Sequence, residues 1–527
     1  MNALPVAPEN FHVFDTTLRD GAQQEGLRLS VADKLRIAGL LDELGVTFIE
    51  GGWPGANPND TAFFAEAAKS LELKNATLVA FGMTTRVGIP AAEDPLVQAL
   101  VDAQTDVICI VAKSHDRHVT EALRTSLENN LDMVRDTVTH LRNHGKRVFV
   151  DCEHFFDGYR DNPAYALEVV RVAAEAGAEV VILCDTNGGM LPGWVGDIVS
   201  AAAAIGVDLG IHCHNDTGCA VANTIAAVDA GVVHIQGTIN GYGERTGNAD
   251  LVTLIGNLQI KYGWELIPAE SLSDLTRISH AIAEITNQAP QARQPYVGVS
   301  SFAHKAGLHA SAIKVDEMLY QHADPELVGN TMRMLISDMA GRANVQIKGE
   351  QLGHDLSDRD TAARITDEIK AREAQGYSYE AADASFDLLL RRELGGFKAP
   401  YQVVAWRAFT DQSEVAEAIV RVSVGGGESR VFAGEGNGPV NALDEAIRRA
   451  LEGAFPVVTE FELTDYRVRI LDQGHGTDAI VRVLIDTRHD GRTWTTVGVG
   501  GNVIEASYEA LADAYLYGIA VLAPPAA

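Results

Sequence analysis

Two histidines one residue apart, in Ile211-His212-Cys213-His214-Asn215-Asp216, close an apolar, β-prone run. On a strand that spacing sends both imidazoles to one side. Near the N-terminus, Phe14-Asp15-Thr16-Thr17-Leu18-Arg19-Asp20-Gly21 sets a guanidinium beside a carboxylate where another apolar run gives way to a loop. Asp20, His212 and His214 form a His₂Asp set with room for two or three further oxygens. Such a set suits a divalent ion (Mg²⁺, Mn²⁺ or Zn²⁺) that keeps positions open for water or substrate. An α-keto acid could fill them through its keto and carboxylate oxygens, so that the ion polarises the ketone. Arg19 would then stabilise charge developing on that oxygen. Cys213 points away from the two imidazoles and is not counted as a donor.

Two more residues end apolar runs. Glu153, in Asp151-Cys152-Glu153-His154-Phe155-Phe156-Asp157-Gly158, is expected to be buried and to act as general base or acid. The competing reading is a carboxylate that only orients a metal-bound histidine. Thr186, in Cys184-Asp185-Thr186-Asn187-Gly188-Gly189, either donates to a substrate carboxylate or caps the next turn.

The elements that must carry these groups follow from hydrophobic periodicity. Strand-like runs fall at 11–15, 47–52, 76–82, 106–113, 147–153, 179–185, 209–214 and 233–239. Amphipathic stretches of helical length separate them, such as 31–44, with Leu35, Leu40, Leu41 and Leu44 near one face. Gly45, Gly145 and Gly177 fall where helices should stop. Eight βα units with strands apolar on both faces predict a parallel (β/α)₈ barrel over residues 10–265. In that fold catalytic groups sit at the C-terminal ends of strands. Asp20, Glu50, Glu153, Asp185, Thr186, His212 and His214 all fall there, and Asn248 follows the eighth strand. A doubly wound sheet is the alternative, but no Gly-x-Gly-x-x-Gly follows the first strand.

Beyond the barrel the composition changes twice. Helix-like runs broken by Pro290, Pro295 and Pro325 predict two helical linker subdomains, 266–335 and 336–410. The first holds Ser301-Phe302-Ala303-His304-Lys305-Ala306-Gly307-Leu308-His309. From 411 to 527, strands at 416–424, 464–471, 480–487 and 494–499 and helices at 441–451 and 502–517 predict a separate α+β module. Gly434-Glu435-Gly436 is read there as a flexible loop rather than a phosphate cradle. The chain has 527 residues, 42 Lys and Arg against 72 Asp and Glu, and a formal charge of −30. That excludes a nucleic-acid partner and disfavours anionic membranes. Five cysteines without paired spacing, no apolar run of membrane length and no signal-like N-terminus predict a cytoplasmic enzyme with free thiols.

With these residues in place, the chain resembles the metal-dependent acyl-CoA condensing enzymes, the 2-isopropylmalate, homocitrate and citramalate synthases. The motifs are Asp15-Thr16-Thr17-Leu18-Arg19-Asp20-Gly21, Glu153 to Gly158, Asp185 to Gly189, His212 to Asp216, Gly241-Tyr242-Gly243-Glu244-Arg245-Thr246-Gly247-Asn248 and His304 to His309. Glu50-Gly51-Gly52-Trp53-Pro54-Gly55 and Ser301 to Lys305 look most like the citramalate-forming branch. The resemblance implies condensation of acetyl-CoA with pyruvate at the start of isoleucine synthesis. It also implies a metal held by Asp20, His212, His214 and Asn248, oxyanion stabilisation by Arg19 and keto-acid contact by Thr186. Proton transfers would fall to Glu153 and His309, with His309 and Tyr320 serving the active site of a partner subunit in a homodimer. The C-terminal module would be regulatory, with isoleucine or leucine as effector. The alternatives are 2-isopropylmalate or homocitrate synthesis, or a metal-dependent aldolase or acyl-CoA lyase on the same barrel.

Overall fold

Eight apolar runs pair in parallel and close into a ring in the computed structural model, which describes residues 7–8, 10–337, 341–410, 415–471 and 479–522. They are β1 (His12–Asp15), β2 (Phe48–Gly52), β3 (Thr77–Met83), β4 (Val107–Lys113), β5 (Arg147–Glu153), β6 (Val180–Asp185), β7 (Asp208–Cys213) and β8 (His234–Gly237). Each lies within two residues of its expected place, and β1 pairs with β8 to shut the barrel. The strands read as unbroken apolar runs because both faces are covered. Phe14, Cys109, Phe149 and Ile182 fill the interior, while their neighbours Val13, Ile108, Val148 and Val181 pack outward under the helices. Phe149 is wholly buried against Phe14, Phe48 and His234, and truncating it to alanine would cost about 3–5 kcal/mol.

The helix Val31–Leu44 shows how local signals set its bounds. Ser30 and Asp33 form a capping box, and Gly45 ends the helix at φ 92°. Its buried stripe includes two polar residues, Lys34 and Asp42, whereas Leu35 and Leu40 are only half-buried. Asp42 accepts the amides of Lys74, Asn75 and Ala76, so it fastens the turn that leads into β3. Lys34 pairs with Asp60 and donates to the Gly51 carbonyl at the end of β2.

The chain divides into two compact units, residues 1–302 with 323–331, and residues 303–322 with 332–527. Residues 266–302 and 323–331 of the expected linker fall in the first unit, and 303–322 and 332–335 in the second. In the second unit, the two-residue strands β9 (Ala303–His304) and β10 (Arg333–Met334) pair in parallel, and the helices Gly307–Ile313, Arg342–Gln351, Arg359–Ala374 and Asp383–Leu394 make up the helical part.

Its C-terminal part departs from expectation. It contains a βββα pattern twice: β11 (Tyr401–Phe409), β12 (Ala416–Val424), β13 (Arg430–Gly436) and helix Pro439–Leu451, then β14 (Glu462–Ile470), β15 (Val481–His489), β16 (Arg492–Gly500) and helix Val503–Tyr517. The boundary expected at 411 separates β11 from β12, two strands that pair along their lengths. β11 and β13 were missed because each is half exposed and carries charged or glycine residues. The reading of Gly434-Glu435-Gly436 as a flexible loop is likewise corrected. These residues end β13, and a Cβ on Gly434 would lie closer than 3.0 Å to the Ala442 carbonyl and the Ala446 amide of the covering helix. Gly498 holds the same place in β16, against Ala506 and Ala510. Glycine is required at both positions by the close approach of helix and strand backbones.

Candidate active site

Asp20 lies just past β1, and His212 and His214 lie at the end of β7, so the three arrive at one rim of the barrel mouth. The Asp20 Oδ2 atom is 3.6 Å from His212 Nε2 and 3.9 Å from His214 Nε2, and all three residues are buried. Two donors each about 2.1 Å from one ion are at most about 4.2 Å apart, so this spacing fits ligands of a common cation. Asn248 adds an amide: its Nδ2 donates to Asp20 Oδ1 and to the Tyr242 carbonyl, both at 3.0 Å. Its Oδ1 is buried without a hydrogen-bond partner, as is His214 Nδ1. An orphaned buried oxygen beside a His₂Asp set is what an ion would satisfy. The loop Gly241 to Gly247 wraps this amide so tightly that a side chain on Gly243, at φ 152°, would run into Asn248.

Electrostatics leave Asp20 and His214 in forms that could bind a cation. Burial alone would favour a neutral Asp20, but Arg19, His212, His214 and the Asn248 amide outweigh it and hold the carboxyl well below the usual range. Burial, with help from the neighbouring His212, lowers His214 to about 4, which leaves the imidazole neutral with a lone pair to offer.

Arg19 spans two carboxylates. Its Nε donates to Glu50 Oε2 at 2.6 Å, its Nη1 donates to Asp20 Oδ2 at 3.0 Å, and its Cζ lies 3.8 Å over the Phe81 ring. Glu50 is fully buried and also accepts the Thr16 hydroxyl at 2.6 Å. The guanidinium is thus aimed rather than merely present. Beside it a cavity of about 770 Å³ opens over the barrel mouth, with Asp20, His212, His214, Glu153 and Thr186 on its walls. Trp53, Phe81, Met83 and Val111 form an apolar side to this cavity, and Trp53 stands edge-on to Phe81 at 5.5 Å.

Glu153 differs from expectation. A quarter of its side chain is exposed, and it is ion-paired with Lys113, its register partner on β4. The burial invoked for its acid–base duty is therefore only partial, and an ammonium is its nearest charge. Thr186 accepts the His154 amide at 2.8 Å through Oγ1, which leaves its hydroxyl hydrogen free to donate into the cavity. Cys213 packs among buried apolar residues outside the barrel, and all five cysteines are free. His309 and Tyr320 belong to the second unit, where their rings stack at 4.1 Å.

Three residues of the site escaped the sequence reading. Lys113 could have been found, because it ends a recognised strand as Glu153 does. Gln236 sits inside the β8 run, where a polar residue in an apolar stretch was the available signal. Arg245 grips Asp216 with two nitrogens and donates to the Thr186 carbonyl, fastening the loops after β6 and β7 together. Nothing in its spacing announced that.

Comparison with known proteins matches the HMGL-like family to residues 10–283, the homocitrate synthase post-HMGL domain-like family to 296–376 and the LeuA allosteric (dimerisation) domain to 380–519. A 2-isopropylmalate synthase of Methanocaldococcus jannaschii is 30% identical over 96% of this chain and 94% of its own length. An HMG-CoA lyase of known structure from Bacillus subtilis aligns with a TM-score of 0.47 at 17% identity, over 54% of this chain and 96% of that one. Among the described residues no helix is long and apolar enough to cross a membrane. An (R)-citramalate synthase of Streptomyces coelicolor is 60% identical over 98% of both chains, and one of Synechocystis sp. is 48% identical over 97% of this chain and 96% of its own. Likeness of that degree from end to end means that this chain belongs to the (R)-citramalate synthase family.

Proposed function

We propose that this protein condenses acetyl-CoA with pyruvate to give citramalate and free CoA, with one water consumed. The observation that carries the reading is the meeting of Asp20, His212 and His214, with Arg19 anchored on Asp20, in a chain of this family. Asp20, His212, His214 and the unpartnered Asn248 oxygen would hold a divalent ion, which when bound polarises the ketone as a Lewis acid. Arg19 stands ready for the negative charge that develops on the keto oxygen as the new C–C bond forms. Thr186 donates to the keto-acid carboxylate. Glu153, paired with Lys113, takes a proton from the acetyl methyl group, a weak acid that needs a base held in place. Water then cleaves the thioester and releases CoA.

The apolar wall favours pyruvate over larger keto acids. Phe81 lies under the Arg19 guanidinium and Trp53 braces it, so the space beside the reacting ketone suits a methyl group. Each extra methylene changes discrimination by about 1–3 kcal/mol. By the family resemblance, His309 and Tyr320 complete the barrel site of a second subunit in a homodimer. The twin βββα module binds isoleucine or leucine as effector, and the reaction begins isoleucine synthesis in the cytoplasm. The test follows CoA release with pyruvate, 2-ketoisovalerate and 2-ketoglutarate in parallel, each with and without chelator. Pyruvate should be preferred and chelator should abolish turnover. Preference for 2-ketoisovalerate would move the assignment to isopropylmalate synthesis, and chelator-resistant turnover would remove the metal from it.

A further inference from the structure

We propose that Gln236 and Asp151 are positioning residues that fix the tautomer and aim of the His212 imidazole. The proposal rests on Asp20, His212 and His214 forming a metal centre. Gln236 is the register partner of His212 on the neighbouring strand and is fully buried. His212 Nδ1 lies 2.7 Å from Gln236 Oε1, and Gln236 Nε2 donates to Asp151 Oδ1 at 3.0 Å across the barrel interior.

Chemistry fixes the direction of this relay. An Asp151 carboxylate only accepts, so it must face the NH₂ end of the amide. The amide oxygen is thereby turned to His212, and since it too only accepts, Nδ1 must carry the ring hydrogen. A neutral imidazole has one such hydrogen, so Nε2 is left bare, and Nε2 is the atom that faces Asp20. His214 lacks this support, because its Nδ1 is buried without a hydrogen-bond partner. The two imidazoles are therefore unequal: one is locked by a side-chain relay and the other is steered by packing. The relay also reaches the anchor of Arg19, because Asp151, Cys109 and Glu50 cluster with donor atoms within 4.8 Å of one another. A glutamine kept only to fill the core would matter for stability and not for the affinity of the ion.

The test uses the full-length chain, stripped of metal and titrated with Mn²⁺ alone, with free Mn²⁺ read by electron paramagnetic resonance and unfolding followed in parallel. Gln236→Met keeps the shape and loses both hydrogen bonds, and it should weaken Mn²⁺ binding about 10- to 100-fold. The double variant Gln236→Glu with Asp151→Asn reverses the polarity of the second bond. The new carboxylate still accepts from Nδ1, and the new amide donates to it, so affinity should return to within about threefold of the parent. Unchanged Mn²⁺ affinity in Gln236→Met overturns the proposal. So does a double variant that melts like the parent yet binds as weakly as Gln236→Met. If the double variant does not melt cooperatively, the Gln236→Met isotherm decides alone. A parent protein that binds no Mn²⁺ sinks the metal reading itself, which is a separate failure.

Discussion

Replacing Arg19 with lysine keeps the charge and removes the geometry, so it isolates what the guanidinium does. Arg19 reaches Glu50 and Asp20 with two nitrogens at 2.6 and 3.0 Å while its plane lies on Phe81. An ammonium is a point donor on a flexible stem and cannot hold both carboxylates and the ring together. One charge-assisted hydrogen bond is lost, about 1.5–3 kcal/mol, together with about 1 kcal/mol of ring contact. The sum, about 2.5–4 kcal/mol, corresponds to a fall of about 10²–10³ in kcat if those contacts hold the group against the developing oxyanion. CoA release at saturating pyruvate, acetyl-CoA and metal would measure it. Unfolding should shift less than in Arg19→Ala, because Glu50 keeps a cation nearby. Arg19→Ala, by contrast, strands the fully buried Glu50 and should cost about 3–5 kcal/mol of stability. A kcat for Arg19→Lys within about tenfold of the parent, or a loss confined to KM, would refute the reasoning.

The other expectations are as direct. Asp20→Asn and His309→Ala should each be nearly inactive, and mixing them under subunit exchange should recover activity if His309 serves the neighbouring barrel; a mixture as inactive as its parts sinks the shared site. Gly498→Ala should destabilise by about 1–3 kcal/mol in thermal unfolding, because the new Cβ meets helix backbone that cannot move aside. Gly501→Ala, whose nearest neighbour would be a Glu505 carboxylate oxygen at 3.8 Å, should be near neutral, and equal effects of the two would argue against the packing account. Burial lowers His154 to about 4, so its neutral form stabilises the fold above the unfolded value near 6.5, and that stability is lost as pH falls from there towards 4. His154→Asn, tolerated at φ 58°, should flatten the loss of melting temperature over that window; parallel curves would mean that another group sets it.

The barrel was legible in the sequence because a strand covered on both faces leaves an uninterrupted apolar signature, and eight such runs admit few closures. The residues that meet at the barrel mouth were legible for a related reason. Polar residues at the ends of apolar runs have little structural excuse, which singled out Asp20, His212 and His214. Asn248 was different, since its aim depends on how a glycine-rich loop folds back, and only the family likeness pointed to it. Gln236 and Lys113 act through neighbours on adjacent strands, a relation that depends on register and not on local spacing. The C-terminal repeat was misread because β11 and β13 are each half exposed, so neither carries a clean alternation. Glu153 was placed at the right strand end but credited with too much burial, because a strand's last residue sits at the mouth of the barrel rather than within it.

Asp20 comes from the first strand of the ring and Asn248 from beyond the last, 228 residues apart along the chain. During synthesis the early carboxylate must wait until nearly half the polypeptide has emerged before its partners exist. An ion gripped by both ends would act as a clasp on the seam between β1 and β8, rewarding a contact between the two ends of the barrel. Chelation would then loosen the junction where the circle was completed, and ageing of stored enzyme should begin at that seam.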